Sequence, residues 1–455
     1  MVRTKVGWDN ASVNRIEDLV AATPAGRNRA VDLYRAISII LVVLGHWIGA
    51  AVWITESDVL RFTNILSLSA DTHWLTWIVQ VIPVFFLVGG YSNYKSSHRA
   101  DTNGVALERW IATRAKRLMT PVGPFIAFVT VLALVTLVLG VSDRIIHSGA
   151  WNAVVPLWFL GVYLLVVAAT PLTAAAWQRI RWWSVALLVV AAIGIDVVRF
   201  TVDAAWIGWA NFLFVWLAVH QVGYGWADGR RSLSRIAALG IAAAGLGITI
   251  WLTVFGPYPV SMVAVPGAPE NNTLPPTIVM VTLGVFQYGL LRLFEPGAQA
   301  WMQRRRPWTA VVALHTVMMT VYIWHVTALA LVVLAGYAIG VGFDIEPLTV
   351  LWWVTRIVWV AVLGLVLAGV VAVFGRFEHA FRPGDVGWLR LLVGLSASVA
   401  AIAASTTLSL VSEEGEMLGW ILGLYAVGIV ALGAIPRRRP TPAFNLSGTD
   451  DSTAS

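Results

Sequence analysis

The residues best suited to chemistry sit at the start of the first long apolar run. Arg29-Ala-Val-Asp32-Leu-Tyr-Arg35 leads into AISIILVVLG and then His46-Trp47. Ionisable side chains inside an apolar helix are costly and mark function by default. His46 lies eleven residues after Arg35. On a helix that is three turns plus about 20°, so the two share a face about 16 Å apart along the axis. A guanidinium at the mouth of a membrane helix either grips phosphate oxygens or anchors the helix end. An imidazole deeper on the same stripe either handles a proton near neutral pH or packs as a hydrogen-bonded core residue.

A second histidine, His325, follows Tyr322-Ile-Trp324 in a later apolar segment. Both histidines lie about fifteen residues along helices expected to run in the same direction, which places them at similar depth. Arg114-Ala-Lys-Arg117-Leu-Met-Thr-Pro121 enters a third segment. Arginines three apart share a helix face and can hold phosphate oxygens, or can serve only as inner-side charge. Phe85-Phe86-Leu-Val-Gly89-Gly90-Tyr91-Ser-Asn93 carries paired glycines that permit close approach of a helix or of a ligand. Trp158, in Pro156-Leu-Trp158-Phe-Leu160, reads as an interfacial aromatic. Glu378-His379, with Arg382-Pro383, reads as a helix-end salt bridge. The sequence contains no metal-ligand spacing, no phosphate-binding glycine loop and no Ser-His-Asp pattern.

These residues must be positioned by membrane helices. Hydrophobic residues make up 58% of the 455-residue chain and charged residues only 12%, about half the charged fraction of a soluble domain. The apolar residues gather in stretches long enough to cross a hydrocarbon core, where the backbone must pair with itself and hence be helical. The pattern predicts an all-α polytopic bundle of twelve helices, near 33–54, 74–92, 120–140, 154–175, 183–198, 206–225, 235–256, 276–294, 310–336, 348–374, 388–410 and 417–435. The 257–275 connection, rich in proline and glycine, is the most loop-like and has room for a re-entrant piece.

Charge orients the bundle. With the N-terminus inside, 26 of the 31 basic residues fall on inner segments, and the outer connections hold only Arg61, Arg144 and Arg199. This alternation predicts both termini on the cytosolic side. The net charge of +7 is then topological and implies no nucleic-acid partner. With no cysteine, thiol chemistry and thiolate metal sites are excluded. The expected organisation is a cytosolic segment 1–30 without a secretory signal, a membrane core 31–383, two further helices in 384–436, and a disordered tail 437–455.

Taken in order, these segments resemble the acyltransferase-3 family of integral membrane acyltransferases. The resemblance runs through Val31-Asp32-Leu33-Tyr34-Arg35-Ala36 to His46, then Phe85-Phe86 with Gly89-Gly90-Tyr91, Arg114 with Arg117 and the following proline, Leu157-Trp158-Phe159-Leu160, Tyr322 with His325, and Phe377-Glu378. Gly89 stands where the family often has serine. The family core has about ten helices, so the last two are an addition. The resemblance implies transfer of an acyl group, often acetyl, from a cytosolic acyl-CoA donor to a hydroxyl of an envelope glycan or glycolipid, with no cofactor beyond the donor. It implies catalytic roles for His46, Arg35 and His325. Donor contacts fall to Arg114, Arg117, Asp32, Gly89, Gly90 and Tyr91, with Trp158 and Glu378 in support. It also implies residence in a plasma membrane, bacterial in type. Two rival readings follow from the same residues: a flippase for a lipid-linked glycan with the histidines as proton carriers, and a non-catalytic scaffold.

Overall fold

The computed structural model describes residues 10–54, 60–202, 205–229, 233–340, 343–378 and 386–434. An amphipathic helix α1 (Asn10–Ala21) precedes the first membrane helix α2 (Arg29–Gly49). A short antiparallel hairpin follows, β1 (Ala50–Ile54) and β2 (Leu60–Asn64), in register Ala50 to Asn64 and Ile54 to Leu60. The chain then forms short helices α3 (Ile65–Leu68) and α4 (Thr76–Val79), long α5 (Ile82–Thr102), α6 (Leu107–Met119), α7 (Val122–Val138), α8 (Asp143–Val154) and α9 (Leu157–Ile180). After these come α10 (Trp182–Thr201), α11 (Asn211–Asp228), α12 (Arg235–Val254), α13 (Ile278–Trp301), α14 (Arg305–Ala338), α15 (Val350–Glu378), α16 (Trp388–Leu408) and α17 (Gly419–Leu432).

Eleven helical stretches among the described residues are long and apolar enough to cross a membrane, and α17 is a shorter apolar helix in the place of the expected twelfth. The chain is thus a multi-pass all-α membrane bundle. Large apolar side chains such as Val138, Leu172 and Val350 face outward, while Asn93, His220, His325 and Glu378 are buried. This is the reverse of a soluble fold, because the surrounding solvent is hydrocarbon.

Several helix boundaries differ from the sequence expectation, and proline explains three of them. The first membrane helix stops at Gly49 instead of 54, and the chain turns into β1. The second is interrupted at Gln80–Val81, just before Pro83 in the first turn of α5, and then extends to Thr102. Proline lacks an N–H and clashes with the preceding turn, so it is accommodated at a helix start. Pro121 likewise separates α6 from α7, and Pro156 separates α8 from α9. The 257–275 connection holds no helix. It is nonetheless partly buried, held by Asn272, whose amide donates to the carbonyls of Pro259 and Ser261 at 2.7 and 2.9 Å.

The N-terminal segment is docked on the bundle: Arg305 pairs with Glu17 at 2.9 Å and the Trp308 indole donates to the Thr23 hydroxyl at 3.1 Å. The helices expected as an addition pack on α9, where a Cβ at Gly161 would lie 3.0 Å from Ile402 of α16, and Ser405 of α16 meets the Tyr425 hydroxyl of α17 at 2.8 Å. The expected 437–455 tail and the basic residues Arg230, Arg231, Arg382 and Arg437 to Arg439 lie outside the described residues.

Candidate active site

The two histidines meet. His325 Nε2 lies 3.3 Å from His46 Nδ1, with ring centroids 4.9 Å apart. Partners assign the tautomers. His325 Nδ1 lies 2.5 Å from the Tyr322 carbonyl, and His46 Nδ1 lies 2.8 Å from the Val42 carbonyl. A carbonyl only accepts, so both Nδ1 atoms carry the proton. His325 Nε2 is then a lone-pair acceptor for the shared His46 N–H, and His46 Nε2 is left as a free base. His325 is fully buried. His46, in contrast, is exposed, so its Nε2 is open to a reactant.

The helix ends around the pair are clamped. The Trp47 indole donates to the His325 carbonyl at 2.9 Å, joining α2 to α14. From α15, the Trp359 indole donates to the Trp47 carbonyl at 2.9 Å and Arg356 to the Ala50 carbonyl at 3.2 Å. These bonds satisfy carbonyls at the C-terminal end of α2, where cations are also favoured by the helix dipole.

Toward the end of the bundle that carries the basic connections, three arginines converge. Arg35 donates to the Ser92 hydroxyl at 2.7 Å and to the Val88 carbonyl at 3.4 Å. Arg114 donates to the Ser96 hydroxyl at 2.5 Å and lies over the Trp110 ring. Arg114 and Arg117 each lie within electrostatic reach of Arg35 and of each other, with Tyr163 beside both. Arg117 is exposed. Glu378 lies within electrostatic reach of Arg117 and Asp32 of Arg35, so part of the charge is balanced within the protein, and the three guanidiniums together offer donors for an anion with several oxygens.

Other residues singled out in the sequence take varied positions. Asp32 lies within electrostatic reach of Arg35, and Arg27 grips its carboxylate with two bonds of 2.6 and 2.9 Å. Those hydrogen bonds raise the Arg27 pKa above its ordinary value. His315, which sequence reading passed over, adds a contact from Nε2 to the Asp32 carbonyl at 3.0 Å. Gly90 serves packing, because a Cβ there would collide with the backbone carbonyl of His220 and hold α11 off α5. Tyr91 packs edge-on against Trp226, 5.3 Å between centroids. Trp158 sits one ring from Tyr322, through Phe159, whose centroid lies 5.6 Å from that of Tyr322.

Glu378 makes contacts that the sequence reading did not foresee, and it lies within electrostatic reach of Arg117. Its carboxylate accepts from the backbone N–H groups of Met319 and Thr320 at 3.1 and 3.0 Å, and from the Thr320 hydroxyl at 3.0 Å. It thus reaches from the end of α15 into the middle of α14, about one and a half turns before His325. His379 and Arg382 lie outside the described residues.

Sequence reading also missed Tyr163, Asn93 as a polar partner, and His220. The last had a usable signal, an ionisable residue inside the apolar run NFLFVWLAVHQV. Tyr163 had none, since one tyrosine among many aromatics is unremarkable until its neighbours are known.

Comparison with known proteins adds one match. The sequence model of a family described as an acyltransferase domain, acyltransferase-3, matches residues 28–375. That span begins at α2 and ends in α15, so it contains both histidines and all three arginines and stops short of α16. No curated protein matches, and no solved structure matches.

Proposed function

The chain belongs to the acyltransferase-3 family, and on that premise we propose that it transfers an acyl group, such as acetyl, from acyl-CoA to a hydroxyl of an envelope glycan or glycolipid in a bacterial plasma membrane. The observation that carries this reading is the contact between His46 and His325, together with Arg35, Arg114 and Arg117 lying within electrostatic reach of one another.

The chemistry follows from the tautomers. A CoA-type donor binds with its phosphates on the arginines, which supply charge-assisted hydrogen bonds. Its thioester extends along α2 toward His46. His46 Nε2 removes the acceptor's hydroxyl proton as the oxygen attacks the thioester carbonyl carbon. The ring becomes an imidazolium, and its Nδ1–H is held by His325 Nε2 and the Val42 carbonyl. The C–S bond then breaks, the ester forms, and the imidazolium returns the proton to the departing thiolate. His325 is an orienting partner in this scheme, in the position that a carboxylate fills in a hydrolase triad. Being neutral, it leaves no extra charge in the membrane.

The test uses purified protein in nanodiscs with radiolabelled acetyl-CoA and extracted envelope glycolipids as acceptor. His46→Gln keeps a hydrogen-bonding side chain but has no titratable base. General-base help is worth about 10²–10⁴ in rate, so transfer is expected to fall to background. Turnover by His46→Gln near the wild-type rate overturns the assignment. Mass spectrometry of lipids and glycans from a deletion strain would identify the acceptor as the species that loses an acyl mass.

A further inference from the structure

The space beside Gly89 is filled by a hydroxyl from another helix. An ideal Cβ built at Gly89 of α5 would lie 2.9 Å from the Tyr163 hydroxyl and 3.0 Å from its ring carbon Cε2. Real Cβ atoms do not tolerate such a contact, so glycine at 89 is what lets Tyr163 of α9 lie against α5. The ring is fixed from the other side by stacking on Phe159, 5.7 Å between centroids and 19° between planes.

The hydroxyl is oriented by a buried polar chain. Asn93 Nδ2 lies 3.3 Å from the Tyr163 oxygen and 3.1 Å from His220 Nε2. Donation by Asn93 to both leaves its own Oδ1 and the His220 Nδ1–H without a partner, so a single N–H is stranded. The flipped amide would strand both of its own N–H bonds, and unpaired buried donors are costly. Asn93 therefore donates and the Tyr163 oxygen accepts. The tyrosine's own proton is left over, and it has no acceptor among the described residues. Tyr163 is half-buried, and it lies within electrostatic reach of Arg114 and Arg117. On the neighbouring turn of α5, Val88 and Ser92 flank Gly89 and hold Arg35.

We infer that Tyr163 is a fourth donor-binding residue, giving its hydroxyl proton to a phosphate oxygen of the acyl-CoA held by Arg35, Arg114 and Arg117. The inference rests on the acyltransferase reading above and assigns to α9 a ligand contact that the arginine motifs do not contain. Gly89 and Asn93 are positioning residues in this arrangement. Gly89 gives the ring room, and Asn93 occupies a lone pair of the oxygen, leaving the phenol proton for a ligand. His220 in turn holds the Asn93 amide.

The test measures binding apart from turnover. Full-length protein in nanodiscs is titrated with acetyl-CoA and with unacylated CoA, for wild type, Tyr163→Phe and Gly89→Ala. Tyr163→Phe keeps the ring stack and removes only the hydroxyl. A lost hydrogen bond to a charged group corresponds to roughly tenfold weaker binding, expected equally for both ligands because the contact is to phosphate. The Cβ of Gly89→Ala displaces the ring and is expected to weaken both to a similar degree. Wild-type affinity in Tyr163→Phe overturns the inference. So does a fall confined to acetyl-CoA, or to turnover, since either would put the hydroxyl at the thioester. If wild-type protein binds neither ligand, the acyl-CoA reading itself fails, a result distinct from failure of the Tyr163 assignment.

Discussion

Replacing His325 by alanine separates an orienting partner from a base. His46 keeps its tautomer in this variant, because the Val42 carbonyl, 2.8 Å from Nδ1, still accepts the proton. What is lost is the second acceptor, His325 Nε2 at 3.3 Å, which matters most once the ring is charged in the transition state. Hydrogen bonds to charged groups are worth about 1.5–3 kcal/mol, so the rate is expected to fall by roughly 10- to 150-fold. Only the upper end of that range reaches the lower end of the loss of about 10²–10⁴ expected for His46→Gln. The missing ring also opens a cavity in a fully buried position. His325→Leu is therefore run beside it, to fill the volume without supplying an acceptor. Both variants are expected to lower kcat and leave the KM for acetyl-CoA near wild type, since the arginines are untouched. Steady-state kinetics in nanodiscs, with thermal unfolding to check integrity, gives the answer. Transfer as weak as in His46→Gln would make His325 the base. Wild-type kcat in both variants would reduce the pair to packing.

Arg114→Ala and Arg117→Ala are each expected to weaken acetyl-CoA binding by about 1.5–3 kcal/mol per lost phosphate contact, with only partial rescue by lysine, which lacks the planar fork; calorimetric titration checks this, and unchanged affinity in both would leave them as topological charge. Glu378→Gln leaves at most one good acceptor where three donors now meet a carboxylate, so unfolding free energy is expected to fall by about 2–4 kcal/mol. Because Glu378 grips α14 about one and a half turns before His325, kcat should fall as well, and a variant with wild-type stability and kcat would deny it this anchoring role. Single cysteines introduced into the cysteine-free chain are expected to place the 93–119 region on the cytosolic side and the 257–275 connection outside. Labelling of a 93–119 cysteine in intact cells by an impermeant thiol reagent would reverse that orientation.

The bundle was legible because its causes are local. Apolar length, internal pairing of the backbone in lipid, and the distribution of basic residues all act within one segment, so the membrane helices could be located before any contact was known. The shared face of Arg35 and His46 was legible for the same reason, being a matter of helical period alone. The helix starts near Pro121 and Pro156 were legible too, because the charged and polar residues before each proline end the apolar run.

Contacts between helices were of another kind. His46 and His325 are 279 residues apart in the chain, and equal depth along two helices says nothing about whether those helices are neighbours. Glu378 was read only against its own helix end, whereas α14 offers its carboxylate two backbone N–H groups. Gly89 read as a missing hydroxyl, yet packing brings the Tyr163 hydroxyl from α9 to that place. Period and hydropathy determine which residues face inward on each helix. Only side-chain packing between helices determines which inward residues meet, because that depends on volumes and crossings contributed by segments far apart in the sequence.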